Sequence, residues 1–251
     1  MTSQPIFTDP DQIANGLPVK EILPQLRALM AEEPTPQRPA SAIVVAPPGA
    51  GKTTSIPPVL AACTWRGESG RIIMLEPRRL AARAAAQRIA ALMGEEVGGF
   101  VGYRTRIDSA VSARTRIEVL TEGLFLRRLL GDPMLEDVAC VILDEVHERS
   151  LEADLALAFC LDLQRTLRPD LRLVAMSATA ETERLASLMN APVLTSEGRM
   201  FALEVHHAKQ DIPTLRDIAP ATAAGIRRAL AETQGDILAF LPGTGEIRRT
   251  A

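Results

Sequence analysis

The sequence predicts an α/β protein built on a doubly wound, mostly parallel sheet, on three observations. Six almost continuously apolar runs of strand length recur along the 251 residues, helical patterns separate them, and turn-forming residues bound them. Strands covered on both faces require such unbroken apolarity, and strand, helix, strand order implies right-handed crossovers.

Taken in order, residues 1–15 (MTSQPIFTDPDQIAN) are polar and Pro-containing, so a loose arm is expected there. A helix is expected over 19–33 and a strand over 41–46 (SAIVVA), followed by an apolar helix interrupted early by Pro57 and Pro58. Then come a strand over 71–76 (RIIMLE), a helix over 79–94, a strand over 116–121 (RIEVLT) and a helix over 122–131. A strand over 139–145 (ACVILDE), a helix over 151–167, a strand over 171–177 (LRLVAMS) and a helix over 181–189 complete the pattern. Near 195–207 Gly198 breaks it and a fresh apolar alternation starts. Beyond lie a Pro-containing connection, a helix over about 219–232, a strand over 236–241 (DILAFL), a Gly/Pro turn and the start of a helix, too little to close a domain. The expected division is an arm (1–15), a first domain (16–197) and an incomplete second domain (198–251).

Composition narrows the function classes. An apolar content of 47% supports a sizeable core, while no apolar stretch approaches the roughly 18 residues of a membrane helix. The N-terminus lacks a signal-peptide profile, so a cytoplasmic location, with no membrane partner, is the default. Three scattered cysteines, Cys63, Cys140 and Cys160, suggest buried thiols rather than a disulfide framework or zinc site. The net charge of -3 argues against gripping nucleic acid by bulk charge, yet the segment from Arg66 to Arg128 carries +5. Any polyanion site would draw on that segment, unless its arginines are solvated helix faces. Lysine is rare, with only Lys20, Lys52 and Lys209.

Lys52 stands in APPGAGKTT (46–54), between the first apolar strand and an apolar helix. That is the context of a P-loop: small residues let backbone N–H groups turn toward a triphosphate, and the helix offers its positive end. Pro48, Gly49, Ala50, Gly51, Lys52, Thr53 and Thr54 are the candidate nucleotide ligands. Lys52 would reach the β- and γ-phosphates, and the Thr53 hydroxyl would ligate Mg²⁺. Ala46 stands where the usual spacing has its first Gly, a variant that keeps a small residue.

VILDEVHERS (141–150) puts Asp144 and Glu145 at the carboxyl end of an apolar strand, the edge where open α/β sheets bind ligands. One carboxylate would hold Mg²⁺, directly or through water, and the other would orient and deprotonate the attacking water. Alone, the pair could equally end a strand and cap the helix starting near Ser150. His147, two residues on, is a candidate link to another part of the machine.

The P-loop, DEVH (144–147) and SAT (177–179) together resemble the superfamily 2 helicases of the DExH/DEAH branch. PRRLAARAAAQR (77–88) is similar to motif Ia and its helix, VGYRTR (101–106) to the strand before a nucleic-acid-facing loop, and TEG (121–123) to motif Ib. EGRMFALEV resembles the junction into a second RecA-like domain and FLPGTGEI (240–247) its motif IV. LPGTGEIRR and the LPV near residue 17 most resemble HrpB-type bacterial ATP-dependent helicases. The resemblance implies ATP and Mg²⁺ as cofactors, Lys52, Asp144 and Glu145 as catalytic residues, and Thr53, Asp144 and Glu145 at the metal. It also implies Arg88 stacked on adenine, His147, Ser177 and Thr179 coupling nucleotide state to domain closure, and Arg78, Arg79, Arg104, Arg106, Thr121 and Gly123 on the sugar-phosphate backbone. Such contacts position a strand without reading its sequence. Val146 departs from the DEAH spelling but keeps both acids and the His.

The implied activity is that of an ATP-dependent helicase on single-stranded nucleic acid, RNA before DNA. The family's motifs V and VI, with their phosphate-facing arginines, lie beyond residue 251, so weak turnover without a second RecA-like domain is expected of this chain. A DNA-directed translocase and a non-catalytic nucleotide-binding module remain open alternatives.

Overall fold

The computed structural model describes residues 10–251 except 36, 181, 199–202, 209–210 and 213. Two compact units divide at Met200/Phe201. In the first, α1 (Pro10–Ile13) and a 3₁₀ turn precede α2 (Leu23–Ala31), and β1 (Ser41–Val45) leads into α3 (Lys52–Ala61). Then follow β2 (Arg71–Glu76), α4 (Arg79–Leu92), β3 (Val101–Arg104), β4 (Ser109–Ala110), β5 (Ile117–Thr121) and α5 (Glu122–Gly131). The unit closes with β6 (Val138–Leu143), α6 (Leu151–Thr166), β7 (Arg172–Ser177), α7 (Glu183–Met189) and β8 (Val193–Thr195).

The strands form one sheet in the order β4-β3-β5-β2-β6-β7-β1-β8, parallel throughout except for the β3–β4 hairpin at one edge. Side chains alternate between two apolar layers: Ala42 and Val44 of β1 and Ile72 and Met74 of β2 pack beneath α1 to α4. Ile43, Val45, Ile73 and Leu75 face the opposite layer, with Phe125 of α5 and Leu157 and Leu161 of α6. The sheet is thus buried on both faces, as unbroken apolar strands require. Because its main strands are parallel, β1, β2, β5, β6 and β7 all end at the same edge.

The first 15 residues are not simply a loose arm. Residues 1–9 lie outside the described residues, but Pro10–Ile13 is helical and Ile13 and Ala14 are buried in the first apolar layer. Two apolar side chains among polar neighbours suffice to pin so short a segment. The expected helix at 19–33 begins as a 3₁₀ turn over Pro18–Ile22, because Pro24 brings no N–H to bond the carbonyl of Lys20, which accepts from Leu23 instead.

The second unit has α8 (Ile218–Glu232) and α9 (Thr244–Thr250), matching the helices expected there. DILAFL (236–241) is not a strand. A strand needs a neighbour to bond its backbone, and no described residue supplies one. Residues 203–208 are also without strand structure, and residues 199–202 in the expected junction lie outside the described residues.

Candidate active site

The turn after β1 is held from below and from behind. Gly49 and Gly51 take φ of 77° and 92°, and Gly51 is the N-cap of α3. A Cβ on Gly51 would lie 2.6 Å from Leu17 Cδ1, so the LPV segment closes against the loop where only glycine fits. Val19 N donates to Ala50 O at 3.1 Å on the same side. Pro57 and Pro58 bring no N–H to bond the carbonyls of Thr53 and Thr54 in the first turns of α3. On the other side the chain leaving β8 bonds back to the loop strand, Ser196 N donating to Val45 O at 2.8 Å. There Gly198 lies so close to Pro47 that an added Cβ would be 2.1 Å from its Cγ. The break in pattern at Gly198 is therefore a close approach to the phosphate-type loop.

Lys52 is buried and its Nζ donates to the carbonyls of Ala46 and, at 3.3 Å, Pro47. The ammonium thus sits inside the loop on backbone oxygens that a phosphate can replace. Thr53 Oγ1 donates to Asp144 Oδ2 at 2.5 Å, joining residues 91 apart. The sheet order explains the reach, since β7 lies between β1 and β6 and the two side chains meet across its end. Asp144 is 2% exposed and also accepts from Glu145 N at 2.9 Å. Burial and the adjacent Glu145 charge push its carboxyl up, while the Thr53 hydroxyl pulls it back down.

Glu145 has φ 52° and opens a single 3₁₀ turn, Val146–Glu148. This left-handed backbone, costly for a residue with a Cβ, turns its carboxylate away from the strand. Glu145 Oε2 is buried without a hydrogen-bond partner, 3.3 Å from His147 Nδ1. That same Nδ1 accepts from Ala178 N at 3.4 Å, so it is not a donor to Glu145. His147 therefore touches both the acid pair and the turn after β7. There Ser177 Oγ donates to Thr179 O at 3.0 Å and accepts from Thr179 N at 3.1 Å. A hydroxyl and a buried carboxylate together offer the hard oxygen donors that suit Mg²⁺. The Glu145 oxygen is thus left with unused acceptor capacity.

The remaining expected residues separate into two groups. Arg78, Arg79, Thr121 and Gly123 stand at the ends of β2 and β5, on the same sheet edge as the acids. Arg104 and Arg106 stand where β3 turns toward β4, a turn tied by Tyr103 and Thr105 to Asp108. Arg88 is exposed on α4. The Nε of Arg104 donates at 2.5 Å to Glu118, fully buried in β5, where Arg71 and Arg128 also converge. The +5 segment is likewise largely used internally, Arg66 and Arg116 on backbone carbonyls and Arg83 on Asp108. A buried carboxylate must be paired, and loop carbonyls must be satisfied, so these guanidinium groups hold the fold first.

Three acids escaped the sequence reading. Glu76 ends β2 level with Asp144, since Leu75 and Leu143 are in register, and is 4% exposed. Burial, and then the charge and hydrogen bond of Asp144, push its carboxyl up to about 9. Glu122 is buried after β5 and accepts from Ser150 Oγ. Glu148 accepts both contacts of the Arg78 guanidinium, at 2.9 and 3.1 Å. The available signal was position, for Glu76 ends one parallel strand and Asp144 follows another.

Comparison with known proteins adds to this geometry. The family model described as DEAD/DEAH box helicase matches residues 25–188. The chain is 47% identical to the ATP-dependent RNA helicase HrpB of Escherichia coli (strain K12) over 236 residues, 94% of this chain and 28% of that protein. It is 37% identical to the probable ATP-dependent RNA helicase DHR2 of Saccharomyces cerevisiae over 207 residues, 82% of this chain and 28% of the relative. The crystal structure of Escherichia coli DEAH/RHA helicase HrpB is similar with a TM-score of 0.78 at 47% identity, covering 94% of this chain and 29% of that one. The chain therefore spans less than a third of the length of these relatives.

Proposed function

Since the chain belongs to the DEAD/DEAH box helicase family, we propose that it forms the ATP-binding part of an RNA-directed helicase. Residues 16–197 would be its first RecA-like domain and 198–251 the start of a second. The observation that carries the reading is the contact of Thr53 with Asp144 beside the buried Lys52, made by two segments 91 residues apart. In this reading Lys52 leaves the Ala46 and Pro47 carbonyls for the β- and γ-phosphates. Thr53 and Asp144 hold Mg²⁺, which when bound neutralises charge on the phosphate oxygens. Glu145 orients the attacking water and takes its proton. Arg88 lies against the adenine, and His147, Ser177 and Thr179 report nucleotide state along the sheet edge.

Arg78, Arg79, Arg106, Thr121 and Gly123 would hold the sugar-phosphate backbone of a single strand, with Arg104 shared between that strand and Glu118. RNA is preferred over DNA because the relatives named above are RNA helicases.

Titration with a fluorescent ATP analogue in Mg²⁺ tests the division of roles. Lys52→Ala should weaken binding at least about tenfold, the order of one lost charge-assisted bond. Glu145→Gln should bind as the unmodified chain does and slow whatever hydrolysis is measurable. Equal loss of binding in both would overturn the assignment. Filter binding with matched RNA and DNA strands tests the substrate, and a preference for DNA would redirect it to a DNA translocase.

A further inference from the structure

The ion pair of Arg78 with Glu148 joins segments that the proposed function gives to different ligands. Arg78 is the N-cap residue of α4 and its side chain is 73% exposed. Helix N-termini and guanidinium groups both favour phosphate. In the free chain, however, the Nη2 of Arg78 faces both oxygens of Glu148. Glu148 closes the 3₁₀ turn that Glu145 opens, and its N–H donates to Glu145 O at 2.9 Å. Among the ion pairs of the described residues, Arg78 is the cation on Glu148, whose other charged neighbours include the acids Glu76 and Glu122. A phosphate approaching Arg78 meets a carboxylate already in place.

We propose that Glu148 is a positioning residue that occupies Arg78 in the absence of a strand, so that a strand phosphate taking Arg78 releases the turn carrying Glu145. This rests on Arg78 as a backbone-phosphate ligand. The strand and Glu148 then compete for one guanidinium, and strand binding reaches the acid pair through a single turn of backbone. Loss of the competitor must tighten strand binding, whereas loss of a merely structural ion pair leaves it unchanged or loosens it.

The experiment is an anisotropy titration of the whole chain with a labelled single-stranded RNA oligonucleotide at low salt. Glu148→Gln should tighten binding about threefold, the order of one exposed ion pair, and Arg78→Gln should weaken it. In the Arg78→Gln background, Glu148→Gln should give no gain. A gain that persists there reflects general charge removal and overturns the competition, as does unchanged or weaker binding by Glu148→Gln alone. Failure of the unmodified chain to bind the oligonucleotide overturns the phosphate-ligand reading and this inference with it. The affinity for a fluorescent ATP analogue, measured with and without the oligonucleotide, reads the link to the turn. The RNA-dependent shift should shrink toward unity in Glu148→Gln. An equal shift in both proteins, or none in the unmodified chain, overturns the transmission.

Discussion

Glu76 shows how one carboxyl can carry a pH dependence. Its ordinary value of 4.5 is pushed up to about 9, so the folded chain binds a proton at Glu76 that the unfolded chain gives up. The stability this contributes is fully present below 4.5 and is lost as pH rises toward 9. Glu76→Gln keeps a neutral donor beside Asp144 and removes the titration. Melting curves in Mg²⁺-free buffer should therefore fall with pH in the unmodified chain, between about pH 5 and pH 9, and fall less steeply in the variant. Parallel pH profiles for the two proteins would refute the assignment. Glu76 also marks the limit of sequence reading at this scale. Lys52, Thr53, Asp144 and Glu145 lie in two contiguous strings whose chemistry is local. The place of Glu76 depends on β2 pairing with β6, whose partners Leu75 and Leu143 are 68 residues apart, and no string of residues announces that pairing.

At the scale of elements, Ser150 ties two of them together. Its Oγ accepts from Ala153 N at 2.9 Å, capping α6, and donates to the buried Glu122 at the start of α5. Ser150→Ala removes a cap worth about 1 kcal/mol and leaves a buried carboxyl without its donor, a further cost of about 1 kcal/mol or more. Urea denaturation should register a loss of about 2 kcal/mol, and a loss no larger than that of an ordinary surface change would show that neither bond matters. The strands β1, β2, β5, β6 and β7 were legible because burial on both faces leaves an unbroken apolar run. β8 and β4, of three and two residues, are too short to carry a period. DILAFL carries the apolar signal but lacks a neighbour, and pairing, rather than composition, makes a strand. The pairing of Arg104 with Glu118 was hidden for a related reason: the two lie on different strands, and only the sheet brings them together.

For the whole molecule, the two units differ in what their apolar residues do. Neither apolar layer of the first unit includes a residue beyond Leu194. Among the described residues of the second unit only Ala219 is buried, while Leu203, Leu238 and Phe240 are mostly exposed. Local opening is easiest where few apolar contacts hold the backbone, so the second unit should be the first to yield to a protease. Trypsin has sites there at Lys209, Arg216, Arg227, Arg228, Arg248 and Arg249. Brief digestion should remove the second unit and leave a fragment ending a short way beyond Gly198. That fragment should melt within a few degrees of the intact chain, because both apolar layers, the Thr53–Asp144 contact and the Gly198–Pro47 approach stay within it. A second unit as resistant as the first, or a fragment that melts far below the intact chain, would mean that its exposed apolar residues contribute to folding stability after all.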